Sequence, residues 1–401
     1  VRQQLRSFEY RNFRLFFMAN SVTNVGTWAQ RVAQDWLVLE LTHSGTMLGF
    51  VTGVQFLPSL LFGMWGGKLA DRFDKRKTLS LTNGLGGFSA LLLGALILLH
   101  VVELWHVFIL AFLAGTAAAF DAPVRQSFVT ELVGKSNLQN AISLNSTNFN
   151  IGRLIGPALS GLLINLFGTG PSFIINGISF LLVILALWLM NSDEFEAEEF
   201  EKSVDAKIRE AFGYVRSHRD ILHIMIVVGA MAFFGLNFQV TTALMAKVEF
   251  QRGAGSFGLL GTCVAIGSVA GAIFSTRIER SPEIKRIIVS AIFFGLACML
   301  ASVMPSYEWF ALTLPLCGGT ALVTLIAANT WVQSHTEPHI RGRVMGIYIT
   351  LLIGSSPIGS PLVGTVAEHL GPRWAIAIGG FGALFFALLV ALRRKINERV
   401  H

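Results

Sequence analysis

Runs of about twenty predominantly apolar residues recur along this chain, and this limits its fold more than any other feature. About twenty helical residues, rising 1.5 Å each, cross a hydrocarbon core of about 30 Å. Segments of that size are predicted at 14–41, 46–70, 78–99, 105–124, 140–166 and 171–190, and again at 221–247, 255–277, 286–304, 308–332, 343–368 and 373–393. Twelve such helices predict an all-α membrane protein. Composition agrees, since 53% of the 401 residues are hydrophobic and 14% are charged, against about 25% charged in a typical soluble domain. Three cysteines are too few for a disulfide-stapled secreted scaffold. Cys263, Cys298 and Cys317 all fall in predicted helices, where buried free thiols are expected.

One long polar stretch interrupts the pattern. It divides the chain into a six-helix half at 1–190, a linker at 191–220, and a second six-helix half with a short tail at 221–401. The linker opens on an acidic run from Asp193 to Glu199, then places Ile208, Phe212 and Val215 at helical spacing among Lys207, Arg209, Arg216 and Arg219. Two readings are open there: a solvated linker helix, or a helix lying on the membrane surface.

A net charge of +7 raises nucleic acid as a partner, so the position of each charge matters. With the N-terminus inside, 26 of the 31 lysines and arginines fall in the terminal segments and loops of that same side. Lys247, Arg252 and Arg373 lie opposite, while Arg31 and Arg153 fall inside helices. Positive charge concentrates on the cytoplasmic side of membrane proteins. The bias therefore predicts cytoplasmic termini and a cytoplasmic linker, and nucleic acid is not an expected partner. No signal-peptide pattern precedes the first apolar segment.

The halves also repeat one another. Ile155-Gly156-Pro157, Gly161 and Phe167-Gly168 reappear as Ile358-Gly359-Ser360, Gly364 and Leu370-Gly371 at a constant offset of 203. Duplicated six-helix halves are a transporter architecture, with the substrate site near the bilayer midplane at their interface.

The loop after helix 2 reads Gly67-Lys68-Leu69-Ala70-Asp71-Arg72-Phe73-Asp74-Lys75-Arg76. It resembles the signature of the major facilitator superfamily, with Asp74 standing where that signature has glycine. The resemblance implies twelve transmembrane helices in two pseudo-symmetric halves. It also implies a latch in which Gly67 permits close helix approach, and Asp71, beside Arg72, engages Lys75, Asp121 and the Arg341 region. The other reading is that these residues are topology anchors. Loop 8–9 keeps only Arg277, Arg280, Lys285 and Arg286, so a single, asymmetric latch is expected.

Helix 5 carries Gly152-Arg153-Leu154-Ile155-Gly156-Pro157-Ala158-Leu159-Ser160-Gly161, which resembles the superfamily's antiporter signature with Ser160 replacing a glycine. Small residues at this spacing let helices approach closely, and Pro157 removes one backbone hydrogen bond. The resemblance implies export. Arg153 is read either as a contact for an anionic substrate or a cavity carboxylate, or as a side chain snorkelling from near the cytoplasmic start of helix 5.

Helix 1 gives the strongest suggestion of coupling. Asn20, Asn24, Thr27 or Trp28, Arg31, and Gln34 or Asp35 recur every three to four residues, so one polar face is expected to line an aqueous cavity. A charge deep in a bilayer helix costs about 2.5–3.5 kcal/mol on insertion scales and marks ion pathways. Asp35 is read as the proton-binding carboxylate with Arg31, four residues away, as its partner. Burial favours a neutral carboxyl and a guanidinium favours an ionised one, so making and breaking the pair would move a proton. The alternative is a structural pair at the outer end.

No serine elbow, zinc-binding pattern or phosphate loop is present, so neither an enzyme nor a cofactor or metal site is expected. Segments such as Asn24-Val25-Gly26-Thr27-Trp28 and Phe56-Leu57-Pro58 resemble the bacterial drug and siderophore exporter branch of the superfamily. The whole implies a monomeric, multi-pass exporter of the bacterial inner membrane. It would exchange amphipathic small molecules for protons by alternating access, with Asn24, Trp28 and Asn237 as cavity contacts. A siderophore exporter, a lysophospholipid flippase and a non-transporting sensor are the alternatives.

Overall fold

The structure, a computed structural model, describes residues 2–195, 208–276 and 283–400. Among them, α1 (Arg11–Thr42), α2 (Gly45–Arg72) and α3 (Lys75–Leu98) are followed by α4 (Leu104–Gly134), α5 (Ser136–Phe167) and α6 (Gly170–Leu189). A short helix, Ile208–Ser217, precedes α7 (Arg219–Glu249), α8 (Ala254–Thr276) and α9 (Ile284–Ser302). The chain continues through α10 (Tyr307–His335), α11 (Pro338–Leu370) and α12 (Pro372–Val400). Eleven of the described segments are long and apolar enough to cross a membrane. The twelfth is α1, which has the length but carries Arg31, Asp35 and several amides. Leu181, Leu185 and Trp188 stand 49%, 50% and 70% exposed along α6, as a lipid-facing surface requires.

The helix ends follow from local chemistry. Asp74 caps α3, its Oδ1 accepting from the Lys77 amide at 3.0 Å. Its φ of −55° needs no glycine, which accounts for the departure from the signature at this position. Gly168 and Gly371 end α5 and α11 at φ of +78° and +100°, so the repeated glycine does the same work in both halves.

Three boundaries differ from expectation. The predicted loop between helices 4 and 5 is absent: α4 runs on to Gly134, whose φ of 67° and ψ of 169° kink the chain directly into α5. Consequently α5 begins at Ser136, four residues before the predicted start. The helix predicted at 221–247 is interrupted, with π-helical turns at Met231–Gly235 and Met245–Glu249 and non-helical residues at Leu236 and Asn237.

Two compact units are present, residues 1–42 with 54–203 and residues 43–53 with 204–401. The first has its core at one end of the bundle, where Phe13 and Phe16 of α1, Leu79 of α3, Phe128 of α4 and Leu187 of α6 are fully buried or nearly so. Asn12 ties that end together: its amide donates to the Asn191 carbonyl at 2.8 Å and its carbonyl accepts from the Asn191 amide at 3.1 Å.

In the second unit α8 and α10 cross where a Cβ on Gly271 would lie 2.5 Å from the Gly319 carbonyl oxygen, so only glycine permits the approach. The opening residues of α2 pack in this unit, with Glu368 accepting from the Ser44 hydroxyl at 2.6 Å and the Thr46 amide at 2.8 Å. The short helix docks on the start of α11 through Arg343–Glu210 at 3.1 Å, with Ala211 and Val215 buried and Phe212 exposed. Val215 thus packs against protein, while Lys207 and residues 196–199 lie outside the described residues.

Candidate functional site

The antiporter-like motif is where α5 receives α1. A Cβ on Gly152 would lie 2.9 Å from the Asn24 backbone, and one on Gly156 would lie 2.5 Å from the Cβ of Trp28. Both positions therefore let the two backbones meet and fix Asn24 and Trp28 against α5. In the second unit Gly359, the repeat partner of Gly156, does the same for the first helix of its half, since its Cβ would meet the Phe233 carbonyl oxygen at 2.6 Å. Pro157 stays within helical backbone, and Gly161 is buried on the same helix.

This seat brings Trp28 against two arginines. The guanidinium carbon of Arg31 lies 4.7 Å from the Trp28 ring centroid and 5.7 Å from that of Phe56; that of Arg153 lies 5.9 Å from Trp28. Phe149 meets the same indole edge-on at 5.6 Å. A cation over a tryptophan face is worth about 2 kcal/mol or more when desolvated, which offsets part of the cost of holding guanidinium groups inside the bundle. Arg153 sits midway along α5, some 25 Å from Ser136 at 1.5 Å per residue. The helix starts four residues earlier than the sequence pattern implied, so Arg153 lies nearer its middle than its start.

Asp35 is fully buried in the last quarter of α1, four residues beyond Arg31. The other polar residues of α1 do not form one wall. Thr23 donates to the Ser179 carbonyl of α6 at 2.9 Å, Gln30 accepts from Asn176 of α6 at 2.6 Å, and Gln34 donates to Gln55 of α2 at 3.4 Å. Asn20 is 6% exposed and bonds back to the Phe16 carbonyl. A helix of 32 residues contacts several neighbours, and each takes the polar groups turned toward it.

Of the proposed latch residues, the side chains of Lys75, Asp121 and Arg341 are described. The side chains of Gly67, Asp71 and Arg72, together with Arg277 and Arg280, lie outside the described residues. Lys75 is 4% exposed and pairs with Glu131 of α4 at 2.8 Å. Asp121 pairs with Arg125 at 2.6 Å and accepts from Thr82 and Asn83 of α3, both at 2.9 Å. Arg341 donates to the Thr336 carbonyl at 3.3 and 3.2 Å, closing the end of α10. Arg125 and Glu131 were missed in the sequence. The four-residue spacing of Asp121 and Arg125 was available as a signal for one of them.

Asn237 stands at the break in α7. Its amide donates to the Phe233 carbonyl at 2.9 Å and its carbonyl accepts from the Ser360 hydroxyl at 2.9 Å, so it splints the break to α11.

A profile of the family described as transmembrane secretion effector matches residues 3–400. The staphyloferrin A transporter of Staphylococcus aureus (strain NCTC 8325 / PS 47) is 24% identical over 400 residues, covering 97% of this chain and 99% of its own. The enterobactin exporter EntS of Salmonella choleraesuis (strain SC-B67) is 23% identical over 386 residues, covering 95% and 91%. A crystal structure of a bacterial homologue of the human lysosomal transporter Spinster shares the fold with a TM-score of 0.68 at 16% sequence identity, covering 95% of this chain and 94% of that one.

Proposed function

The chain belongs to the transmembrane secretion effector family of major facilitator transporters, and from that premise we propose that it exports a siderophore-like chelating small molecule in exchange for protons. The observation that carries this reading is the charged group inside the first unit: Arg31 and Asp35 on α1 and Arg153 on α5, seated by Gly152 and Gly156. A multi-pass transporter that kept three ionisable residues in its bundle for packing alone would meet their insertion cost without return. The names of the staphyloferrin and enterobactin relatives support the substrate class at modest identity.

In this reading Asp35 carries the proton. Arg31 is its electrostatic partner, and the balance between them shifts as the two halves alternate access. Both termini are cytoplasmic, the membrane is the bacterial inner membrane, and the working unit is a monomer. The residues from Gly67 to Lys75, with Asp121, are the first unit's part of a cytoplasmic latch, and Asn24 and Trp28 contact the substrate.

A second reading has its own observation. The aromatic surround of Trp28, Phe56 and Phe149 suits amphipathic compounds in general, as in multidrug efflux. Inverted membrane vesicles separate the two. Uptake of radiolabelled citrate-based or catecholate chelators, without uptake of lipophilic cations, supports the chelator reading. The reverse pattern replaces it with multidrug efflux, phospholipid movement alone replaces it with a flippase, and ligand binding without counterflow replaces it with a sensor.

A further inference from the structure

We propose that Trp28, Arg31 and Arg153 form an anion-recognition site, in which the two guanidinium groups take a carboxylate or catecholate oxygen group of the substrate and the indole packs against its scaffold. This rests on the transport reading above and names the chemistry its substrate presents.

Four observations carry it. First, the charge is unbalanced. Asp35 stands four residues beyond Arg31 on α1, and the guanidinium groups of Arg31 and Arg153 lie against the same Trp28 ring, 4.7 and 5.9 Å from its centroid. Two positive charges and one negative share this part of the bundle, and a bound anion is what would neutralise the group. Second, hydrogen bonding is incomplete. The Nε of Arg31 is buried and meets no acceptor. A guanidinium offers five donors in a fixed fork suited to carboxylates, and leaving a buried donor unmade costs about 1–3 kcal/mol.

Third, the geometry is held by backbone contacts. Trp28 is pinned by Gly156, and Arg31 lies one turn beyond it on the same face. Arg153 follows Gly152 directly, so its origin is fixed where that glycine meets Asn24. The rings of Trp28 and Phe56, 4.7 and 5.7 Å away, limit where the Arg31 guanidinium can go. Fourth, the polar neighbours are spoken for. Gln30 accepts from Asn176 and Gln34 donates to Gln55, and neither bonds the Nε of Arg31. A rigid aromatic plate with two underused guanidinium groups fits a flat, oxygen-rich anion better than a cation, which Arg31 and Arg153 would repel.

The test is equilibrium binding to the full chain in lipid nanodiscs, with citrate and 2,3-dihydroxybenzoate as probes. Trimethyl citrate and methyl 2,3-dimethoxybenzoate, esters that lack both kinds of anionic oxygen, tetraphenylphosphonium and lysophosphatidylglycerol are the comparisons. The acids are expected to bind and their esters and the cation to bind at least about tenfold more weakly, the scale of one charge-assisted contact. Arg31→Gln and Arg153→Gln should each weaken acid binding by about tenfold or more. Lysine at either position should retain part of the affinity, and Asp35→Asn should retain or strengthen it.

Esters or the cation binding as tightly as the acids would overturn the proposal, as would a foldable Arg31→Gln/Arg153→Gln pair that binds the acids like wild type. The acid-against-ester comparison on wild type decides the matter even where the glutamine variants do not fold. Arginine-dependent binding of lysophosphatidylglycerol without the acids would keep oxyanion recognition and overturn the chelator reading. Acid binding with no vesicle uptake would keep the site and overturn export.

Discussion

Gly156 carries more of the site's geometry than any charged residue. Its hydrogen is what allows Trp28 to sit against α5, and Trp28 is the ring that the guanidinium groups of Arg31 and Arg153 both approach. Gly156→Val should overpack this seam by about 1–3 kcal/mol, lowering the Tm in detergent and reducing transport. Gly346→Ala, which meets open space, should leave both unchanged. At this scale the sequence was informative in part. The glycine-proline motif and the intramembrane charges stood out because the membrane disfavours charge and because the motif resembles a known one. The pairing of Lys75 with Glu131 was invisible, since 56 residues separate them and only the packing of α3 on α4 joins them. The Trp28–Arg153 contact was hidden for the same reason.

Elements were legible where hydropathy alone decides them and illegible where backbone geometry does. Eleven spans satisfy the apolar-length criterion, and the polar α1 was recognised by its length and its turn-by-turn spacing. The two π turns of α7 leave no trace in composition, because a π turn shifts one hydrogen bond without demanding a particular residue. Such turns often mark functional positions, and here they flank the Asn237 splint. Asn237→Leu should destabilise the chain by about 1–3 kcal/mol by orphaning the Ser360 hydroxyl, whereas Ser360→Ala alone should cost less. A double-mutant cycle read by thermal unfolding should return a coupling of at least 0.5 kcal/mol in magnitude. Independent effects would show that α11 does not hold the break. The kink at Gly134 makes a similar demand: Gly134→Ala places a side chain at a φ of 67° and should lower the Tm by several degrees.

At the scale of the whole molecule, the charge surplus of the sequence becomes a statement about sidedness. If 26 of the 31 basic residues face the cytoplasm, a C-terminal fusion to a fluorescent protein that matures only in the cytoplasm should be bright, and the same fusion after α11 should be dark. Duplication of the halves was legible in the constant offset between Gly156 and Gly359, and each glycine seats the first helix of its own unit. What the sequence leaves out is substrate identity, because the residues that would read it come from several helices whose rotation no linear pattern fixes. The claim that joins the scales is that Asp35 exchanges protons for an exported anion. The most direct measurement is uptake of a labelled citrate-based or catecholate chelator into inverted vesicles, with lumenal pH recorded together with flux, for wild type and Asp35→Asn. An acid lumen should drive wild-type uptake with proton efflux, and Asp35→Asn should lose the gradient dependence while still binding the chelator; wild-type dependence on the gradient in Asp35→Asn would contradict the account.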